Sequence, residues 1–170
     1  MTPKTYNPPP TIAELLHQVS LAKTKSARIK LLKENDSQSL RQILKLNFDP
    51  NCNFDLAEGI PEDYRGNNNI PGFGNATLKT CAKSMYVFFK KFSPGLRQKK
   101  REVLFASLLE SLDKEEAQVL LLAKDKKLDI GVTRKMIEEA FPGLIDNSAE
   151  KGDEKDEEEK DSTESDSQGV

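Results

Sequence analysis

Residues 120–145, LLLAKDKKLDIGVTRKMIEEAFPGLI, constrain the fold more than any other stretch, because their pattern fits two helices joined by a glycine turn. Leu120, Leu121, Leu122 and Ala123 end an apolar helix that runs into Lys124, Lys126 and Lys127. Leu128-Asp129-Ile130-Gly131 forms the connector, and a second helix opens at Val132-Thr133. Val132, Met136, Ile137 and Ala140 then fall on one face at helical spacing. Pro142 biases Phe141 out of the helical region and Gly143 lets the chain turn, so the helix stops before Phe141.

Thr133 is placed to cap this second helix, whose first backbone N–H groups lie beside Arg134 and Lys135. A helix N-terminus flanked by cations suits a phosphate. The same residues also fit two packed helices with solvated lysines, so both readings stand at this point.

The remaining chain reads as short helices. Thr11 and Glu14 form a capping-box pattern before Ile12–Leu21, with Ile12, Leu15, Leu16 and Val19 inward. His17 falls off that stripe, as a surface residue. Thr24 or Ser26 opens a basic helix to about Glu34, with Ala27, Leu31 and Leu32 inward. Ser37–Leu46 follows, burying Leu40, Ile43 and Leu44. Thr77–Phe92 is expected as one helix with a core stripe of Leu78, Cys81, Ala82, Met85, Phe88 or Phe89, and Phe92. The next helix starts near Leu96 and buries Leu104, Phe105, Leu108 and Leu112. Asp113 with Glu116 predicts a second capping box, opening a helix to about Ala123.

Residues 47–76 break this pattern with Asn, Gly and Pro, and a loop of that length in a small domain is usually functional or mobile. Phe48, Phe54, Leu56, Ile60 and Phe73 are its expected anchors. Asp55, Glu58, Glu62 and Asp63 make it acidic, which argues against a main nucleic-acid contact there. The expected architecture is therefore all-α: a compact bundle of about seven short helices with one long irregular loop. A flexible lead over 1–10 precedes the body over 11–145, and a disordered acidic tail over 146–170 follows it.

The charge is distributed unevenly. The net charge of −2 combines a tail over 146–170, with 11 Asp and Glu against 3 Lys, and a body with 17 acids against 23 bases. A basic body with an acidic tail suits a polyanion binder carrying its own competitor, and equally a solvated surface with a solubilising tail. Cys52 and Cys81 are too few and too separate for a disulfide framework and fit a reducing compartment. No secretory leader and no run of about 18 apolar residues is evident, so membrane insertion is not expected.

The aliphatic helix end, the Asp125-to-Gly131 connector, the basic helix and the closing Phe141-Pro142-Gly143-Leu144-Ile145 resemble the last part of the N-terminal helical domain of phage-type ATP-dependent DNA ligases. The order upstream is similar too: a helical hairpin, Leu44-Lys45-Leu46-Asn47-Phe48-Asp49, a loop through Ile70-Pro71-Gly72-Phe73-Gly74, then longer helices. The whole chain is also similar to a family of small helical proteins of tailed phages of the large myovirus type, which implies nothing about activity. The first resemblance implies a domain that grips duplex DNA; the second implies the cytoplasm of an infected bacterial host.

The ligase resemblance does not extend to ligation chemistry. Lys127-Leu128-Asp129-Ile130-Gly131 is one residue longer than the nucleotide-accepting Lys-x-Asp-Gly motif, and it aligns with the DNA-gripping domain. A single His argues against a His-based metal cluster, and neither Cys has a local partner. No enzyme, cofactor, metal or small-molecule substrate is expected. The candidate contacts to double-stranded DNA are Lys99, Lys100, Arg101, Lys124, Lys126, Lys127, Gly131, Thr133, Arg134 and Lys135, binding phosphates without reading sequence. The alternative is a module that docks a phage or host replication, repair or transcription protein without touching nucleic acid; a virion structural role is a third.

Overall fold

Capping residues set the helix starts. In the computed structural model, which describes residues 9–70 and 73–146, Thr11 and Glu14 form the expected reciprocal box. Thr11 Oγ1 accepts from Glu14 N at 3.2 Å, and Glu14 Oε2 accepts from Thr11 N at 2.9 Å. Helix α1 (Ile12–Leu21) follows. Of the two candidate caps for α2 (Lys25–Glu34), Thr24 is the one used, accepting from Ala27 N at 3.1 Å. Ser37 caps α3 (Gln38–Phe48) through Leu40 N, also at 3.1 Å.

The helix expected over Thr77–Phe92 is not continuous. A single α-turn, α4 (Leu78–Cys81), tightens into a 3-10 helix over Ala82–Phe88, and the chain becomes extended at Phe89. Tertiary partners take the carbonyls at its end. Phe88 O accepts from Asp55 N at 2.8 Å, and Val87 O accepts from Ser93 Oγ at 2.6 Å. Aromatic and β-branched residues at 86–89 add weak helix propensity. The stripe from Leu78 to Phe88 is buried as expected, but Phe92 is 60% exposed.

Helix α5 (Gln98–Ser111) starts two residues later than expected and presents a different face. Arg101, Phe105, Ala106 and Leu109 are buried, while Leu104 and Leu108 are only half-buried. Helix α2 is rotated in the same sense, with Ile29 and Leu32 buried and Ala27 and Leu31 at the margin. Helix α6 (Lys114–Lys124) begins at Asp113, which accepts from Glu116 N at 2.8 Å. The box is not closed, because Glu116 Oε2 turns away to accept from Leu78 N at 2.9 Å. One carboxylate thereby joins the starts of α4 and α6. Helix α7 (Arg134–Ala140) completes seven α-helices and one 3-10 helix, with no strand, among the described residues.

The fold is thus all-α. Helix α3 packs on α4 and α6, α1 on α2 and α6, and α7 on α2. Ile12, Leu32, Leu40, Ile43, Leu44, Leu109, Leu112 and Leu120 form the centre of one core. Phe88 packs against Phe105 and Phe54, with ring centroids 5.3 Å apart in both pairs. Phe54 is the only expected loop anchor that is fully buried. Phe48 and Leu56 are half-buried, and Ile60 and Phe73 are 69% and 80% exposed. The loop is instead held by side-chain amides. Asn67 and Asn69 donate to Leu109 O, Glu110 O and Leu112 O at 2.7–3.1 Å, satisfying carbonyls at the α5 C-terminus. The expectations for residues 1–8, Pro71-Gly72 and 147–170 lie outside the described residues.

Candidate nucleic-acid interface

Five of the eight cations expected to contact DNA are turned to internal use. Arg101 is 2% exposed. Its Nη1 donates to Asp55 Oδ2 at 2.7 Å and to Gln98 Oε1 at 3.0 Å, its Nη2 to Ser93 O at 2.9 Å, and its Nε to Val87 O at 3.2 Å. No donor is left facing solvent for a phosphate, so the assignment of Arg101 as a DNA contact is corrected. Lys124 is likewise buried, donating to Ala57 O at 2.8 Å and pairing with Asp125.

Lys126 is corrected for a different reason. It ends α6 in the left-handed region, at φ +58°. Lys126 N donates to Ala123 O at 3.1 Å and Lys127 N to Leu122 O at 2.8 Å, the paired bonds of a Schellman turn. Its ammonium lies among Leu46 O, Asp49 O and Cys52 O at 2.6–2.9 Å, with all three protons used. Burial pushes its pKa below the ordinary lysine value, opposed by Cys52 and Asp49.

Lys99 and Lys127 stay exposed but are paired with the acidic loop. Lys99 Nζ meets Asp63 Oδ2 at 2.8 Å, and Lys127 pairs with Glu58. Hydrogen bonds donated to these carboxylates hold both ammonium pKa values above the usual lysine value. The loop therefore supplies to α5 and α6 the anions expected from DNA. Lys100 and Lys135 are exposed and make no salt bridge among the described residues.

Gly131, Thr133 and Arg134 form a structural turn. Thr133 Oγ1 accepts from Met136 N at 3.4 Å. Gly131, at φ +68°, donates its N–H to Asp129 Oδ1 at 3.0 Å, and its carbonyl accepts from Arg28. Arg134 is half-buried. With seven residues, α7 offers little dipole to an external anion.

A different surface combines charge with exposed aromatic rings. One side of α3 from Gln38 to Leu46, the loop at 51–55, the 3-10 helix and residues 89–92 enclose an open cleft of about 910 Å³. Its floor is Leu46, Phe54 and Met85, all buried. Lys45, Lys83, Lys90 and Lys91 rim it, all exposed and, among the described residues, none in a salt bridge. Tyr86 and Phe92 line it at 55% and 60% exposure, and Lys91 Nζ lies 5.8 Å from the Phe92 ring centre. Gln42 Oε1, on the same wall, is shielded from solvent without a hydrogen-bond partner. Asp55, the one acid lining the cleft among the described residues, is engaged by Arg101. The site is hidden in the sequence because one continuous helix over 77–92 would place Phe92 in the core stripe, on the side away from Lys83 and Lys90. The alternation Lys83, Tyr86, Lys90, Lys91, Phe92 was the available signal.

Cys52 also lines the cleft, and burial pushes its thiol above the ordinary cysteine value, which disfavours a reactive thiolate. Among the described residues no group of three or more His, Cys, Asp or Glu could hold a metal ion. No helix there is long and apolar enough to cross a membrane.

These features define a small all-α protein with a lysine-rimmed aromatic cleft. The chain belongs to a family of unknown function, DUF6433, whose family model matches residues 15–130. That range holds α2 to α6, the acidic loop and the whole cleft, and it stops short of α7. No curated protein matches the chain.

Proposed function

We propose that this is a non-catalytic accessory protein that binds nucleic acid without reading its sequence, acting in the cytoplasm of a phage-infected bacterium. The contact face is the aromatic cleft, not the wall over α5 and α6 that the sequence suggests. One observation carries the reading: Lys45, Lys83, Lys90 and Lys91 ring an open cleft and make no salt bridge among the described residues, whereas Lys99 and Lys127 are matched by loop acids. Cations without internal partners are the ones whose counterions a polyanion can displace.

The test compares two charge reversals by fluorescence anisotropy on labelled DNA at low salt. Lys83→Glu with Lys90→Glu and Lys91→Glu is expected to abolish binding, while Lys99→Glu with Lys127→Glu leaves most of it. The affinity should fall steeply between about 50 and 200 mM salt. Binding untouched by the first set, or lost equally with the second, overturns the assignment. The acidic stretch 146–170, with 11 Asp and Glu, is expected to compete for the same lysines, so its deletion should tighten binding.

A second reading, docking of a protein partner without nucleic acid, is favoured by the apolar floor of Leu46, Phe54 and Met85. It predicts no retention of any nucleic acid, even for protein lacking 146–170.

A further inference from the structure

We infer that the cleft takes single-stranded nucleic acid, with bases stacked on Tyr86 and Phe92 and phosphates on the lysine rim. The inference rests on the nucleic-acid reading above and specifies which form is bound.

A protein that holds duplex DNA by its backbone needs cations and no exposed rings, since paired bases hide their faces in the stack. Here two aromatic side chains are more than half exposed on the cleft that holds the unpaired lysines. Leaving such rings in water is unfavourable unless something covers them. Unpaired bases are flat, apolar-faced and joined at phosphates, so they match aromatic surface and ammonium groups together. The interleaving is local: Lys83, Tyr86, Lys90, Lys91 and Phe92 fall within ten residues. A straight α-helix would keep Lys83, Tyr86 and Lys90 on one face and turn Phe92 to the opposite side; with the 3-10 turn and the extended break at Phe89, all five line one opening.

The experiment uses the full chain, a labelled oligonucleotide of about thirty deoxythymidines, a mixed-sequence single strand, and the duplex of that sequence. Single strands are expected to bind at least tenfold tighter than duplex. Tyr86→Ala with Phe92→Ala is expected to weaken single-strand binding by roughly tenfold per ring while duplex binding changes little. Both residues are exposed, so the fold should survive, as far-ultraviolet circular dichroism would verify. Tyr86→Phe keeps a stacking face and should restore affinity. The chain has no Trp and three Tyr, so quenching of tyrosine emission by a single strand, diminished in Tyr86→Phe, reads the stack directly.

Failure is separable. If Lys83→Glu with Lys90→Glu and Lys91→Glu abolishes binding but the double alanine variant binds both forms as before, the stacking inference falls and the nucleic-acid reading stands. Equal affinity for duplex and single strand has the same consequence. If no nucleic acid binds, while an aromatic peptide rich in glutamate does, both fall and the cleft is a protein-docking site.

Discussion

Asn47 and Leu128 exchange a matched pair of hydrogen bonds across 81 residues of chain. Asn47 Nδ2 donates to Leu128 O at 3.0 Å, and Leu128 N donates to Asn47 Oδ1 at 3.1 Å. The amide at the end of α3 acts as a one-residue strand for the connector that follows α6. Both residues are buried, so nothing else solvates the Leu128 peptide.

Asn47→Ala is expected to destabilise the protein by about 1–3 kcal/mol, the range for leaving buried polar groups unpaired. Urea unfolding followed by circular dichroism measures it. Asn47→Asp gives a sharper test. Ionised, its carboxylate would face Leu128 O and should cost at least as much; protonated, it regains a donor and an acceptor. Stability of Asn47→Asp relative to wild type should therefore recover as pH falls toward 4.

Lys126 carries two opposed effects. Its φ of +58° is unfavourable for any side chain, and its ammonium joins three carbonyls across the end of α3. Lys126→Gly removes the strain and the ammonium together; Lys126→Ala removes only the ammonium. The glycine variant is expected to be the more stable of the two by about 1 kcal/mol. An alanine variant as stable as the glycine one would mean the left-handed turn is not kept in solution.

These positions mark what the sequence could and could not convey. Helices α1 and α3 were legible because apolar spacing and a Thr or Ser cap agree with each other. The expected Gly131 turn exists, but α6 already turns at Lys126, where a glycine was the residue to look for. Arg101 escaped because it occupies the helical stripe of Phe105, Ala106 and Leu109 while being charged. Its counter-charge Asp55, 46 residues away, and the carbonyls of Val87 and Ser93 make that position buriable. The same holds for Lys127 with Glu58 and Lys99 with Asp63, at separations of 69 and 36 residues. Charge counting finds cations; which of them remain available depends on pairing set by the fold. Reversing Arg101 would unfold the α5 start and say nothing about binding.

Gly131 is tied to Arg28 by space as well as by hydrogen bonding. A Cβ at Gly131 would lie 2.9 Å from Arg28 Nη1, at a φ that disfavours side chains. Gly131→Ala is expected to lower stability by about 1–2 kcal/mol. Part of that loss comes from displacing the guanidinium, so adding Arg28→Ala should cost less than it does in wild type. A double-mutant cycle on thermal unfolding reads the coupling; additive losses would mean the two residues do not meet.

Glu116 gives the fold a built-in pH response. It is fully buried, and its Oε2 accepts from Leu78 N at 2.9 Å. Burial pushes its pKa above the ordinary glutamate value of 4.5, partly offset by that N–H. The folded state thus holds this proton more tightly than the unfolded chain. Stability from this group is fully present below pH 4.5 and declines as pH rises toward the raised value, leaving a penalty at neutral pH. Glu116→Gln keeps an acceptor for Leu78 N without the charge, so it should flatten this dependence and match or exceed wild-type stability at pH 7. Glu116→Ala strands the Leu78 N–H and should lose about 1–3 kcal/mol. Urea midpoints for the three proteins between pH 4.5 and 8 decide the matter: a glutamine variant that tracks wild type across that range would place the carboxylate in water, not in the core.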